Sequence, residues 1–316
     1  MRRLFFSVLA FVALAAASCT EHGGGGNGTG SGSGFPPKLL TRESVDEDGT
    51  KILYMENAYN ERGDTLLKSK YVRGALVERA RYTYDYDNRR CDIVHEFTAG
   101  DGSHSAVEWI EYLDAGMTKP KIRMYADYLV YTYDYDEAGR LKKVVQKFNG
   151  TERLTSVYEY DGHGRLVHER TEILSELYNE TFYDYDMRTK TAYQDNALSS
   201  VPYRVVREYL DTDLKYMDKI TVYSNYDYDS HVETEKEYVR QTGQIEYDER
   251  MRVVGNTSIV YNVAGDKTEY IWYGNYRYDG NKVTYDYLIG GYRGGVVEDS
   301  YFDNVVHYTD VYTSEL

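Results

Sequence analysis

The sequence predicts an all-β protein, an antiparallel meander of hairpin repeats that forms either a water-soluble barrel or a long curved sheet. Three observations predict this class: tyrosine supplies 37 of 316 residues, tyrosines alternate with polar residues over short runs, and a Tyr-x-Tyr-Asp motif recurs along the chain. A period of two is typical of strands with one buried face. Only four prolines interrupt the chain, which favours continuous sheet.

Residues 1–18 are predicted to be a signal peptide. Arg2 and Arg3 precede an apolar run of 12 residues, Leu4 to Ala15, and small residues lead from it to Cys19. The run is shorter than the ~20 residues of a membrane-spanning helix, although a signal anchor is the alternative. The segment resembles a bacterial lipobox, with Ala16 in place of the usual leucine. The resemblance implies that Cys19 carries a lipid; secretion without a lipid is the alternative.

Residues 19–38 are predicted to be a disordered tether. Eight of the twelve positions from Gly23 to Gly34 are glycine, and the others are Asn, Thr or Ser. A coil of about 16 such residues spans ~20–25 Å, enough to hold a domain clear of a membrane surface.

Residues 39–316 are predicted to form one repeat-built β domain. The second tyrosines of the motif lie 49, 27, 25, 43 and 50 positions apart, which fits a unit of about 25 residues. Such a unit is one β-hairpin, and about ten units give roughly 16–22 strands. The six copies are Tyr82–Asp85, Tyr131–Asp134, Tyr158–Asp161, Tyr183–Asp186, Tyr226–Asp229 and Tyr276–Asp279.

Turn chemistry closes the strands. Asp136 to Gly139 and Asp161 to Gly164 put aspartate at the start of a turn and glycine where a positive φ is required. The return strand after the first turn is predicted over residues 141–148. The run from Val232 to Tyr238 carries charges or threonine at most positions of both parities, which disfavours a lipid-embedded barrel.

Two segments, Tyr131–Leu141 and Tyr158–Leu166, resemble the YD repeats of bacterial Rhs and teneurin-type shells, whose core runs from tyrosine-aspartate to glycine-arginine-leucine. The other copies keep only the tyrosine half. With its leader, the chain also resembles uncharacterised Bacteroidetes surface or periplasmic lipoproteins with a porin-like repeat domain. That resemblance implies a β-rich fold and an envelope location, lipid-anchored to the outer membrane, and no catalytic residues.

Net charge, cysteine content and motifs limit the classes of binding partner, metal and cofactor that are predicted. The net charge of −15 argues against nucleic acid and anionic lipid headgroups. With Cys19 used by the lipid, Cys91 has no partner and is predicted to be a small buried hydrophobe. His95, His104 and Glu96 or Glu108 lie close in sequence, but without the spacing of a metal motif, so no metal is predicted. No cofactor fingerprint is present, and no cofactor or catalytic residue is predicted.

The remaining candidates are aromatic. Trp109, Trp272 and Tyr273 are the predicted ligand-binding residues, because broad rings stack on sugar faces and fill protein interfaces. The tyrosine ladders could equally be the core itself. The sequence thus favours a non-enzymatic envelope lipoprotein that binds a glycan or a protein. A structural component of the envelope and a glycan hydrolase are the alternatives.

Overall fold

The fold is taken from a computed structural model, which describes residues 37–45, 49–99, 102–196, 203–227, 232–293, 296–297 and 305–314. The predicted signal peptide, Cys19 and the tether up to residue 36 lie outside the described residues. Among the residues described, no helix is long and apolar enough to cross a membrane.

The described residues form 21 strands, within the predicted range. The first eleven are β1 (Leu39–Val45), β2 (Lys51–Tyr59), β3 (Thr65–Val72), β4 (Ala75–Asp85), β5 (Arg90–Ala99), β6 (Gly102–Tyr112), β7 (Pro120–Tyr125), β8 (Leu129–Tyr135), β9 (Leu141–Phe148), β10 (Thr151–Tyr160) and β11 (Leu166–Ile173). The others are β12 (Glu176–Asp186), β13 (Thr189–Asn196), β14 (Tyr203–Tyr209), β15 (Met217–Asp227), β16 (Val232–Tyr247), β17 (Val253–Tyr261), β18 (Lys267–Asp279), β19 (Lys282–Arg293), β20 (Val296–Val297) and β21 (Val306–Tyr312).

The strands form a closed antiparallel barrel. Each strand from β1 to β19 pairs with the next in sequence, β19 pairs with β21, and β21 returns to β1. The short β20 pairs with β19 alone, so 20 of the 21 strands make up the ring. Of the two predicted forms, the barrel is therefore the one observed. Closure leaves no unpaired edge in the ring.

One face of the barrel is much more buried than the other. Residues directly opposite on paired strands share a face, so the registers can be followed around the ring. One face holds most of the buried side chains, among them Cys91, Glu108, Val205, Tyr285 and Asp310, whereas large exposed apolar side chains such as Val107 and Phe182 lie on the other. Closure crowds the inner side chains together, so the buried face lines the lumen.

The lumen is wide. Twenty strands spaced ~4.8 Å apart and tilted ~40° make a ring about 40 Å across, and barrels of ~16–18 strands already leave an aqueous channel. Many inner side chains are accordingly only half-buried, and Lys70 stays exposed. The outer face carries ion pairs such as Arg204–Glu237 and Lys121–Glu111 where a membrane barrel presents an apolar band.

The two rims favour different turns. At one rim, several two-residue turns have positive φ at both positions, as at Arg73–Gly74 and Asn149–Gly150, which is the type I′ geometry that matches strand twist. The Asn262 turn at the same rim is capped by its asparagine side chain. At the opposite rim, which we call the tyrosine rim, an Asp or Asn side chain caps several of the turns. The Asp161 carboxylate accepts hydrogen bonds from the Arg165 backbone N–H at 2.9 Å and from its Nε at 2.8 Å.

The tyrosine rim also joins neighbouring hairpins. The arginine of one turn lies over the ring of the next rim tyrosine, as Arg165 does over Tyr185 at 4.6 Å from the ring centroid. The Tyr185 hydroxyl donates at 2.8 Å to the carbonyl of Leu166, which follows that arginine. The same hydroxyl-to-carbonyl bond is made by Tyr59, Tyr135, Tyr160, Tyr247 and Tyr278. In the copy Tyr158–Asp161 both halves of the motif make such contacts: the Tyr160 hydroxyl bonds to the previous hairpin, and Asp161 closes its own turn.

Candidate functional site

A row of rings crosses the outer face on strands β11 to β16. His168 lies opposite Phe182, Phe182 opposite Tyr193, Tyr193 opposite Arg204, Arg204 opposite Tyr223, and Tyr223 opposite Val239. We call these six residues the aromatic stripe. They occupy adjacent strands spaced ~4.8 Å apart, so the stripe is about 24 Å long and one side chain wide.

The middle of the stripe is exposed where a stable surface would normally be polar. Phe182 is 49% exposed and Tyr193 is 44% exposed, whereas His168, Arg204 and Tyr223 are half-buried. Cross-strand aromatic pairs stabilise a sheet by only ~0.2–1 kcal/mol each. Two adjacent exposed rings flanked by half-buried side chains therefore point to a ligand as well as to sheet stability.

Polar groups hold both ends of the stripe. The His168 ring stacks on Phe182 with centroids 4.5 Å apart, and its Nε2 lies 2.9 Å from the Glu180 carboxylate. At the other end the Arg204 guanidinium lies 3.8 Å from the Tyr223 ring centroid and 2.7 Å from the Glu237 carboxylate. The hydrogen bond to Glu237 raises the pKa of Arg204. The row thus combines flat apolar faces with fixed hydrogen-bonding groups.

The structure does not bring Trp109, Trp272 and Tyr273 together. Trp109 lies on β6 and Trp272 on β18, both on the outer face but far apart around the ring. The Arg90 guanidinium covers Trp109 at 4.7 Å from the ring centroid. The Trp272 ring lies across Gly274, where a Cβ atom would collide with it, so that ring covers the Gly274 backbone, which is buried.

Tyr273 faces the lumen within a second aromatic group, the seam cluster, where β18, β19, β21, β1 and β2 meet. Its ring centroid is 4.6 Å from that of Tyr287. The other members are Tyr54, Tyr276, Tyr285 and Tyr308. Burial raises the pKa of Tyr308 to about 12 and raises that of Tyr285 further. Rings packed on one another in this way act as core.

An ion pair lies beside the seam cluster. Arg42 on β1 donates from Nε and Nη2 to the two Asp310 carboxylate oxygens at 2.8 and 2.7 Å, and Asp310 is only 2% exposed. Both side chains belong to the strands that close the ring. This bidentate pair therefore fastens the first strand to the last.

The predicted histidine and carboxylate neighbours do contact one another. His95 Nε2 lies 3.1 Å from Glu108, which Arg123 also contacts, with 2.7 Å between its Nε and the carboxylate. In the described part of the chain, no group of three His, Cys, Asp or Glu side chains could hold a metal ion. Cys91 is a buried free thiol, as predicted, and burial raises its pKa to about 11.

A glycan hydrolase would need two carboxyl groups ~5–10 Å apart in unlike environments. Glu269, on the lumenal face, is the one carboxyl among the described residues whose pKa is raised, and burial is the cause. The charge that acts on it is that of Arg240, which lowers its pKa, and not that of a second carboxylate.

Sequence reasoning missed the aromatic stripe. Its members lie on six different strands and belong to no motif, and only Tyr193 and Tyr223 are tyrosines. The one available signal was local: Phe182 occupies a position whose parity in β12 is otherwise polar, with Glu180 and Asp184 on either side. Finding the row requires the registers of five strand pairs.

The comparisons find similar structures but no similar sequence. Neither a protein-family model nor a curated protein matches the chain. A porin-like protein from Bacteroides uniformis is 12% identical with a TM-score of 0.40, over 91% of this chain and 99% of that one. A TcdB2-TccC3-TEV structure is 11% identical with a TM-score of 0.28, over 83% of this chain and 19% of that one. At these TM-scores the likeness carries no conclusion about family or activity.

Proposed function

We propose that this protein is a non-enzymatic envelope lipoprotein that binds a glycan along the aromatic stripe. The observation that carries the proposal is the row from His168 to Tyr223 on the outer face, in which the exposed rings of Phe182 and Tyr193 lie between half-buried His168 and Arg204. Aromatic faces stack on the apolar faces of sugar rings, while neighbouring charged groups bond to hydroxyls. Arg204 and Glu237 supply such groups beside the rings.

The shape of the stripe favours a glycan over a protein. The stripe is one side chain wide, and charged or polar side chains such as Glu180, Asp184 and Thr191 flank it on the outer face. A protein interface of ordinary size covers about 800 Å² on each partner around an apolar centre. A narrow row bordered by polar groups suits an extended chain of sugars better.

The amino-terminal segment supplies the proposed location. We propose that residues 1–18 are removed, that Cys19 is lipidated, and that residues 19–38 hold the barrel off the outer membrane, on its periplasmic or its outer side. The ion-paired outer face of the barrel supports an anchor outside the barrel wall.

A glycan array tests the proposal, using the chain after the leader with Cys19→Ser. The test variant is Phe182→Ser with Tyr193→Ser. The matched control is Val94→Ser with Val107→Ser, because these valines are also directly opposite each other on the outer face and are 39% and 56% exposed. We expect a glycan that binds the parent and the control alike and binds the stripe variant at least about tenfold more weakly.

Three results would contradict the proposal. A glycan that binds the stripe variant as tightly as the parent would place the site elsewhere. No binding to any envelope or host glycan would favour a protein partner or a structural role in the envelope. Cleavage of a bound glycan during the assay would favour the hydrolase alternative.

A further inference from the structure

Two basic side chains face each other on the lumenal side of β13 and β14. Lys190 lies directly opposite Arg207, and Tyr185 lies directly opposite Lys190 on the other side. Like charges directly opposite each other destabilise a sheet. The stability of the sheet therefore does not explain why Lys190 and Arg207 lie opposite each other.

No carboxylate in the described part of the chain forms an ion pair with Lys190 or Arg207. Three other lumenal basic side chains do have one: Arg42 pairs with Asp310, Arg123 with Glu108, and Lys70 with Glu78. Lys68 has none, but it is exposed and lies opposite Asn57 and Ala80 and not opposite another cation. Among the described residues, Glu169 is the one carboxylate that acts on Lys190, from two strands away. One carboxylate leaves the two cations with a net positive charge, in a protein whose total charge is −15.

Aromatic rings hold the lysine in place. Lys190 Nζ lies 4.5 Å from the Tyr183 ring centroid and 5.5 Å from that of Tyr185. Lys190 and Arg207 are both only partly buried, so the lumen can reach them. Lys190 is the second residue of β13, close to the tyrosine rim, which gives a small ligand a short path. Burial lowers the pKa of Lys190, and an anion beside it would reverse that shift.

We propose that Lys190 and Arg207 form a lumenal oxyanion site for a small ligand that carries a carboxylate or a phosphate. The planar guanidinium of Arg207 suits two oxygens of such a group, and the ammonium of Lys190 supplies a compact second charge. The site lies on the opposite face of the barrel wall from the aromatic stripe. The oxyanion site can therefore be tested independently of glycan binding at the aromatic stripe.

Calorimetric titration at low ionic strength tests the site in the chain after the leader. The probes are glucuronate, inorganic phosphate and, as the neutral counterpart, glucose. The variants are Lys190→Gln and the charge-preserving Lys190→Arg, with Lys70→Gln as the matched control because Lys70 is also lumenal but paired. We expect glucuronate or phosphate to bind, glucose not to bind, and only Lys190→Gln to weaken binding at least about tenfold. The anion that binds more tightly shows whether the site prefers a carboxylate or a phosphate.

Thermal unfolding gives an independent readout. With the bound anion present, the Tm of the parent rises and that of Lys190→Gln does not. The proposal is overturned if neither anion binds the parent, if glucose binds as well as the anions, if Lys190→Gln binds unchanged, or if the anion raises the Tm of that variant as much as that of the parent.

Discussion

At the scale of residues, the rim tyrosines explain why tyrosine recurs at this rim. The hydroxyl of each bonds to the carbonyl of the first residue of the preceding strand. The basic residue just before that carbonyl also lies over the ring of Tyr59, Tyr135, Tyr160, Tyr185 and Tyr278. For Tyr160 these partners are Arg140 at 4.7 Å and the Leu141 carbonyl at 2.8 Å. The motif is therefore a contact between hairpins, and one hairpin alone does not complete it.

Removing one hydroxyl tests this contact. We expect Tyr185→Phe to lower the free energy of unfolding by about 1 kcal/mol, because the hydrogen bond to Leu166 is lost and the ring stays. The measurement is the urea midpoint at unchanged slope. Tyr193→Phe is the control, since its ring is 44% exposed on the outer face. Equal shifts in the two variants would show that the hydroxyl bond contributes nothing.

The seam cluster predicts an alkaline limit to stability. Burial raises the pKa of Tyr308 to about 12, against ~10 for tyrosine in an unfolded chain. A raised folded-state pKa gives stability that is complete below pH ~10 and is lost as the pH rises toward about 12. We expect the near-ultraviolet absorbance of tyrosinate to rise in two phases, the later one coinciding with loss of β-sheet circular dichroism. A single phase near pH 10 in the folded protein would contradict the burial.

At the scale of elements, the sequence predicted the hairpins well. The predicted return strand 141–148 is β9, and the Gly139 and Gly164 turns have φ of +76° and +82°. These features depend on a few neighbouring residues, so local patterns suffice. The Asn60 and Asn262 turns were missed because asparagine replaces the aspartate of the motif, although its side chain caps the turn in the same way.

A glycine in a two-residue turn tests the turn assignment. Gly150 has φ of +80° with open space where a Cβ would lie, so Gly150→Ala changes backbone strain alone. We expect it to cost about 1–2 kcal/mol of unfolding free energy. Gly162→Ala is the control, because Gly162 also faces open space but lies outside the positive-φ region. Equal urea midpoints for the two variants would refute the type I′ turn.

At the scale of the whole molecule, closure separates the two candidate sites. Because the ring is closed, Phe182 faces outward and Lys190 faces the lumen, although both lie on the same pair of strands. The sequence left barrel and curved sheet equally open, since the decisive contact joins residues such as Arg42 and Asp310, 268 positions apart. No local pattern reports such a pairing, and the aromatic stripe likewise requires the registers of five strand pairs.

Disulfide trapping tests closure most directly. Glu43 on β1 lies directly opposite Thr309 on β21 and, on its other side, opposite Leu53 on β2. Directly opposite residues have Cα atoms ~4.5–5.5 Å apart, within reach of a disulfide. The test pair is Glu43→Cys with Thr309→Cys. Glu43→Cys with Leu53→Cys is the positive control, and Glu43→Cys with Lys143→Cys, on distant β9, is the negative control.

The protein is kept dilute and mildly oxidised and carries Cys19→Ser. We expect the test pair (residues 43 and 309, the seam pair) and the positive control (residues 43 and 53, the β1–β2 pair) to form an intramolecular disulfide in most molecules. The negative control (residues 43 and 143) is expected to form none. Shifted mobility on a non-reducing gel reports each bond. A disulfide in the β1–β2 pair without one in the seam pair would show an open curved sheet and contradict the closed barrel.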